Sequence, residues 1–142
     1  MNIAGVDPGL QGGIAIMSPH GKPMAAFKMP VKKGRINLGE IQTIVITYNV
    51  KLAIIETAFR DGTYNAAKTE AVFELCQIPI INYHPRQWQK MLPKGTGKQR
   101  AYDYCIDHGL PVPLNGNGRF HDGIADAWCI ANFYLNEMRE TT

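Results

Sequence analysis

Four carboxylates stand where apolar segments end or where a helix is expected to begin. Asp7 and Glu56 each follow an apolar run, and Asp122 and Asp126 lie in an apolar segment near the C-terminus. A carboxylate beside a buried strand is costly unless something compensates for its lost hydration. A divalent cation does so, and three or four converging carboxylates form the oxygen-lined site that Mg²⁺ prefers. We therefore expect a magnesium site.

Each carboxylate also has an ordinary structural interpretation. Asp7 precedes Pro8-Gly9 and could be a turn residue, and Glu56 could be a solvated strand end. Asp122 could be the N-cap of the last helix. Asp126 is the hardest to explain in this way, because it lies inside an otherwise apolar stretch. The four structural interpretations together are less economical than one shared site.

Apolar patterning and turn residues divide the chain into alternating strands and helices. Residues 111–119 are rich in Pro, Gly and Asn and predict a loop. We predict an α/β layer sandwich, a mixed five-stranded sheet flanked by helices, as a single domain over residues 1–142. The predicted strands are 2–7, 13–17, 24–29, 51–56 and 78–83, and the predicted helices are one capped by Asn37, then 64–76, 86–92, 98–108 and 122–138.

This arrangement can bring the carboxylates together. Asp7 and Glu56 would end neighbouring strands, and Asp122 and Asp126 would share one face of the last helix because they are four residues apart. Two like charges on a buried face repel each other unless a proton or a cation lies between them. In the helix over 64–76, Ala67, Ala71 and Leu75 lie on one stripe.

The charge distribution suits a polyanionic partner. The formal net charge is +3, and ten of the fifteen Lys and Arg residues lie in two windows without acids, 22–35 and 86–100. Basic surface beside an acidic cluster favours nucleic acid bound around a metal. No segment has membrane-spanning length, no signal peptide is evident, and the three cysteines show no metal-ligand spacing. We expect a cytoplasmic protein with reduced thiols and no organic cofactor.

Four segments of the chain resemble the RuvC-type Holliday junction resolvases of the ribonuclease H-like superfamily. The segments are 3–9 with the following 13–15, then 55–59, 95–98 and 125–127. They are similar to the family's first hairpin with its catalytic aspartate, its strand-ending glutamate followed by an aromatic residue, its glycine-rich lysine-bearing helix start, and its final aspartate. The order of elements agrees along nearly the whole chain, which looks like the compact phage-encoded versions.

The resemblance implies a site and a substrate. Asp7, Glu56, Asp122 and Asp126 would hold two Mg²⁺ ions, with Mn²⁺ as the alternative ion, and Lys98 would act on the phosphate. The family usually places its last two acidic ligands three residues apart, whereas Gly123 occupies that position here. Asp122 therefore competes with His121 for the role of fourth ligand. Trp88 is interpreted as a packing anchor.

We expect a Mg²⁺-dependent endonuclease that cuts four-way and other branched DNA, as a homodimer in the cytoplasm of a bacterial or phage-infected cell. The helix over 64–76 is the expected dimer interface. The alternatives are a catalytically silent module that binds branched nucleic acid and a metal nuclease of broad specificity. The expected DNA-contacting residues are Phe59, Arg60, Lys32, Lys33, Arg35, Arg86, Lys90, Lys94 and Arg100.

Overall fold

A computed structural model describes residues 1–141 and contains a five-stranded mixed sheet in the order β3-β2-β1-β6-β7. Strands β1, β2 and β3 are antiparallel, whereas β6 and β7 run parallel to β1. The predicted mixed sheet is thus confirmed. Its strands are β1 Asn2–Asp7, β2 Gly13–Met17, β3 Pro23–Lys28, β6 Val50–Glu56 and β7 Ile80–Tyr83.

Helices cover both faces of this sheet. Side chains alternate between the faces along a strand, so Ile3 packs with α3, α4 and α5, while its neighbour Ala4 packs with α1 and α2. The result is the predicted α/β layer sandwich with two apolar cores. The helices are α1 Leu38–Thr47, α2 Thr63–Leu75, α3 Pro85–Gln89, α4 Gln99–Asp107 and α5 Asp122–Glu140.

The N-cap predicted for α1 is confirmed. The side chain of Asn37 accepts a hydrogen bond of 3.2 Å from the Glu40 N–H, which satisfies one of the free donors at the helix start. The β-branched run that follows does not prevent the helix, because Ile41, Ile44 and Val45 are buried against the sheet. Tertiary burial therefore outweighs the weak helix propensity of these residues.

The stripe of Ala67, Ala71 and Leu75 on α2 does not face the core. Leu75 is 84% exposed and Ala67 is also exposed, while Ala66, Val72 and Phe73 are buried instead. The helix is thus rotated from the face that the alanine spacing indicated, because the large Phe73 side chain is buried against the sheet.

A small hairpin was also missed by the sequence prediction. Strands β4 Val31–Lys32 and β5 Arg35–Ile36 pair with each other, and Lys33 and Gly34 at the tip both have positive φ. Two-residue turns of this kind need positive φ and match the twist of the flanking strands. The hairpin projects the middle of the first basic window away from the main sheet.

The last helix is buried on most of its circumference. Over its 19 residues it packs against β1 and β2 on one side and against α4 on the other. The buried Cys129 and Cys105 thiols meet at this second contact, 3.9 Å apart. Within residues 1–141, no helix combines the length and the apolar character needed to cross a membrane.

Candidate metal and nucleic-acid site

Asp7 and Glu56 lie at adjacent strand ends. Strands β1 and β6 are parallel neighbours, and the pair Val6–Ile55 is in register, so the next residues of the two strands stand side by side. Both next residues project to the face covered by α5, because Ile54 and Ile3 on the same alternation pack into that core. The expected juxtaposition of Asp7 and Glu56 is thus present.

Helix α5 reaches these strand ends through glycine contacts. A Cβ placed on Gly5 would lie 2.2 Å from the Ala127 carbonyl oxygen, and one on Gly13 would lie 2.7 Å from the Gly123 backbone. Real side chains essentially never approach so closely, so the helix backbone rests directly on the backbone of β1 and β2. This close packing places Asp126 near Asp7, and both side chains line the same cavity.

The same packing explains why the fourth acid is not at position 123. A Cβ on Gly123 would lie 2.4 Å from the Gly12 backbone carbon and 2.5 Å from the Gln11 oxygen. A carboxylate side chain at this position would therefore push the helix away from the turn between β1 and β2. In this chain the three-residue spacing of the two helix acids is sterically blocked.

Asp122 and His121 occupy different surroundings. Asp122 lines the cavity that also contains Asp7 and Asp126, whereas His121 lines a neighbouring cleft with Lys28 and Gln11. His121 is the N-cap of α5, and its Nδ1 accepts a 3.1 Å hydrogen bond from the Ile124 N–H. The interpretation of Asp122 as N-cap is thus wrong, and Asp122 rather than His121 shares a cavity with Asp7 and Asp126.

The carboxylate cavity has a volume of about 390 Å³ and opens beside the turn between β1 and β2. Two of its lining residues, Asp61 and Asn65, were missed by the sequence analysis. They follow the strand-ending Glu56 within ten residues, in a 3₁₀ turn and the first turn of α2. Polar residues shortly after a strand-ending acid were the available signal. These two residues line the cavity only because the chain turns between the end of β6 and the start of α2.

Burial and like charges raise the proton affinity of these acids. Burial raises the pKa of Asp7 well above its ordinary value, and the charges of Asp126 and Glu56 raise it further. Burial likewise raises the pKa of Asp126 to about 7, with Glu56 and Asp122 adding to the effect and Lys98 opposing it. Such groups hold a proton near neutral pH unless a cation replaces it.

Glu56 is held by an indole. The Trp88 Nε1–H donates a 2.6 Å hydrogen bond to Glu56 Oε2, and Trp88 itself is only 1% exposed. Burial raises the pKa of Glu56, and the hydrogen bond from Trp88 lowers it. Trp88 is thus a packing anchor, as predicted, and it also orients the glutamate, which the sequence did not indicate.

Lys98 lies at the rim of the cavity and forms an ion pair with Asp122, with 2.8 Å between Nζ and Oδ2. Its side chain remains 70% exposed, so the ammonium is accessible to an incoming anion. The hydrogen bond to Asp122 raises the pKa of Lys98, which therefore stays charged. Lys98 is the N-cap of α4 and follows two glycines with positive φ.

The donor set suits a hard cation. Asp7, Glu56, Asp122 and Asp126 offer only oxygen atoms, and the raised pKa values of Asp7 and Asp126 mark anionic sites without sufficient positive charge nearby. Among residues 1–141, no group of three or more Asp, Glu, His or Cys side chains is already gathered as a metal site. The residue types fit Mg²⁺, and binding it would require these side chains to turn inward.

Phe59 and Arg60 form an exposed shelf beyond the end of β6. Phe59 is 54% exposed, which argues against a role in core packing, and its ring centroid lies 5.0 Å from that of His84. Arg60 is exposed and begins the 3₁₀ turn with a φ of 56°. The aromatic face and the guanidinium are thus both available to a ligand near the carboxylates.

The first basic window approaches the site from one side. Lys28 lies in the cleft of His121, and Val31 and Gly34 of the β4–β5 hairpin line the same cleft. Lys32, Lys33 and Arg35 of that hairpin are exposed. The window predicted as a nucleic-acid contact therefore borders the carboxylate cavity.

The second basic window is divided between surface and interior. Arg86, Lys90 and Lys94 are exposed. Arg100, in contrast, donates from Nε to the Pro93 carbonyl at 2.9 Å and from a terminal nitrogen to the Gln89 carbonyl at 3.0 Å. Arg100 therefore fastens the loop before α4, and its role as a DNA contact stays a prediction.

The fold is similar to that of solved Holliday junction resolvases. Thermus thermophilus RuvC in complex with a Holliday junction substrate superposes with a TM-score of 0.70 at 17% identity, covering 99% of this chain and 96% of that one. Fowlpox virus Holliday junction resolvase gives 0.61 at 15% identity, covering 97% and 99%. A yeast mitochondrial resolvase gives 0.58 at 13% identity, covering 98% and 83%.

No protein-family model matches the sequence, and no curated protein matches it either. The structural similarity nevertheless extends over nearly the full length of both chains in the Thermus and fowlpox pairs. The chain therefore has the RuvC-type, ribonuclease H-like fold.

Proposed function

We propose that this protein is a Mg²⁺-dependent endonuclease that cuts four-way DNA junctions. The observation that carries the proposal is the packing of Asp126 of α5 against Asp7, next to Glu56, on a fold of the RuvC type. Buried acids with raised pKa values beside exposed basic surface are expected for a metal-assisted phosphodiesterase and have no evident structural purpose.

Asp7, Glu56 and Asp126 would hold the metal ions together with Asp122, the member of the set nearest the solvent rim. When bound, a pair of Mg²⁺ ions supplies an activated water and stabilises the leaving oxygen in an in-line displacement. The chain positions these ligands through two strand ends and one rigid helix. Trp88 restrains Glu56 through its 2.6 Å hydrogen bond, so that this carboxylate keeps one orientation.

Lys98 would stabilise the phosphate. Its ammonium is paired with Asp122 and largely exposed, so a phosphate oxygen can approach it from solvent. The cation partly offsets the negative charge that otherwise repels DNA from the carboxylates, because it lies close enough to lower the pKa of both Asp7 and Asp126. A charged donor beside a reacting phosphate contributes transition-state stabilisation.

DNA would be held by an aromatic shelf and basic surface around the site. Phe59 offers a face for base stacking, and Arg60 adds a cation next to it. The exposed Lys32, Lys33 and Arg35 of the β4–β5 hairpin would contact phosphates on one side of the carboxylates. Arg86, Lys90 and Lys94 would do so from α3 and the following loop.

A homodimer fits a substrate with two-fold symmetry. Symmetric cutting needs two active sites related by a two-fold axis, and an isologous interface supplies them. Tyr64 and Leu75 of α2 are 67% and 84% exposed, which provides apolar area on the helix predicted as the interface. The dimer is part of the proposal.

The decisive experiment compares cleavage of an immobile four-way junction, a replication fork and a linear duplex, each with Mg²⁺ and with EDTA. We expect paired, symmetric nicks in the junction with Mg²⁺ alone, and Asp126→Asn should reduce the rate at least about 100-fold because a metal ligand is lost. The exposed Asp107→Asn on α4 serves as the matched control and should cut like the wild type.

The other outcomes identify the alternatives. Tight junction binding without cutting would establish a silent binding module. Equal cutting of all three DNAs would retain the metal nuclease and reject junction selectivity. Cutting in EDTA, or full activity in Asp126→Asn, would contradict the proposed metal site itself.

A further inference from the structure

A second cleft of about 610 Å³ opens directly beside the carboxylate cavity. It lies between α4 and the loop that precedes α5, and Lys98 and Asp122 line both cavities. Its volume is in the range of small-ligand pockets, which typically measure about 300–1,000 Å³. The metal-site residues described above do not account for the other walls of this cleft.

Apolar surface lines one part of the cleft. The Tyr102 and Phe120 rings stack with centroids 4.4 Å apart and planes within 9°, which makes a flat double layer joining α4 to the loop. Leu114 also lines the cleft and is 61% exposed, although a leucine side chain gains free energy when it is covered. A flat aromatic ligand would cover this surface.

Amide groups and cations line the rest. Asn117 Oδ1 accepts a 3.0 Å hydrogen bond from the Arg119 N–H, and its NH₂ group makes no hydrogen bond within residues 1–141. Asn115 lines the cleft beside it. Side-chain amides pair with the edges of nucleobases, while Lys98 and the exposed Arg119 suit the adjoining phosphates.

We propose that this cleft binds one unpaired nucleobase from the strand that is cut. The proposal rests on the nuclease function above and specifies how that site takes its substrate. A base pair inside a duplex cannot enter a cleft of this kind, whereas a base at a branch point is already partly unstacked and is cheap to extrude. Because the cleft shares Lys98 and Asp122 with the carboxylate cavity, the bound base would belong to a nucleotide adjoining the scissile phosphate.

The test uses a four-way junction carrying 2-aminopurine, a base whose fluorescence reports stacking, at each position around the cut in turn. Binding is followed with Ca²⁺ in place of Mg²⁺, and cleavage of the same positions made abasic is followed with Mg²⁺. For the wild type we expect one position to change its emission at least about twofold on binding. An abasic residue there should slow cleavage roughly tenfold, since it removes one stacked base.

Variants of the cleft residues, compared with matched controls, test whether the cleft itself causes these effects. Leu114→Ala and Tyr102→Ala should lose the fluorescence change and cut intact junctions about as slowly as the wild type cuts the abasic one. Tyr102→Phe should behave as wild type, because it keeps the ring. Ile46→Ala on α1 is the control, as it removes an aliphatic side chain of the same size from a site that is also exposed.

Each result has a defined meaning. Junction cleavage without any responsive position, or variants that keep the full fluorescence change, would overturn the nucleobase site while leaving the nuclease in place. A wild-type protein that neither binds nor cuts a junction would overturn the proposed function and this inference with it. A single responsive position that is lost in Leu114→Ala and Tyr102→Ala, and retained in Tyr102→Phe and Ile46→Ala, supports the site.

Discussion

At the scale of single residues, the carboxylate cluster creates a conflict between folding and function. Asp7 and Asp126 lie side by side and are partly buried, and their raised pKa values express the cost of ionising both. Under the proposed function, a bound cation would offset this cost. That view leads to two predictions that can be tested one side chain at a time.

The first prediction concerns pH and the stability of the metal-free protein. The pKa of Asp126 is about 7 in the folded state against an ordinary value of 3.8, so the folded state binds its proton more tightly than the unfolded state does. Stability should therefore fall as pH rises from about 4 to about 7, by an amount on the order of a few kcal/mol. Urea unfolding in EDTA at pH 5 and pH 8 measures this difference.

Asp126→Asn should weaken the pH dependence and be more stable than the wild type at pH 8, because the amide carries no charge. Mg²⁺ should raise the wild-type melting temperature at pH 8 and should have less effect on the variant. A wild type that becomes more stable between pH 5 and pH 8 in EDTA would contradict the prediction.

The second prediction concerns the indole that holds Glu56. Trp88→Phe removes the 2.6 Å hydrogen bond and should reduce junction cleavage about 10-fold or more, as is usual when a partner of a metal ligand is lost. Trp128→Phe is a matched control, because Trp128 is equally buried but donates to the Pro111 carbonyl at 2.8 Å. Cleavage rates of the two variants are compared at an equal fraction of folded protein. An equal loss of cleavage rate in both variants would indicate general destabilisation only.

At the scale of elements, the contact between α5 and the turn after β1 determines the geometry of the site. Gly123 of the helix lies against Gly12 of the turn with no room for a Cβ, and Gly5 lies against Ala127 in the same way. Backbone packing of this density leaves no free space at the contact. A single added methyl group must therefore displace the helix.

The third prediction tests this contact by replacing a glycine with alanine, at Gly123 in the contact and at Gly39 outside it. Gly123→Ala should destabilise the protein by about 1–3 kcal/mol through overpacking and should also reduce cleavage by the folded protein, since Asp122 and Asp126 move with the helix. Gly39→Ala in α1, whose added Cβ would lie 3.7 Å from the nearest atom, should be neutral or slightly stabilising. Thermal unfolding and cleavage rates measure both effects, and a Gly123→Ala variant with normal cleavage would contradict the argument.

At the scale of the whole molecule, charge is distributed so that one face can meet DNA. The net charge is only +3, yet the β4–β5 hairpin and the α3–α4 region carry exposed cations beside the acidic cavity. Lys51 stands at the opposite end of β6 from Glu56. Binding strength should therefore depend on which cations are removed as well as on their number.

The fourth prediction follows from counterion release. The double variant Lys32→Ala, Lys33→Ala should weaken junction binding and reduce the slope of log affinity against log salt by up to about 2, because each phosphate contact contributes about 0.9. Lys51→Ala should leave the slope unchanged. Titrations with Ca²⁺ at several salt concentrations give the slopes, and an unchanged slope in the double variant would exclude the hairpin as a DNA contact.

The sequence by itself determined the order of elements, the mixed sheet and the identity of the buried acids. These features follow from local causes: apolar alternation marks β1 and β6, Asn37 caps α1, and an acid inside an apolar helix cannot be explained by packing. Tertiary structure alone decided the rotation of α2 and which of Asp122 and His121 lines the carboxylate cavity, because both depend on which distant backbone meets each helix. It also decided the Trp88–Glu56 hydrogen bond and the cleft beside Lys98, since contacts between residues far apart in the chain leave no periodic signal in the sequence.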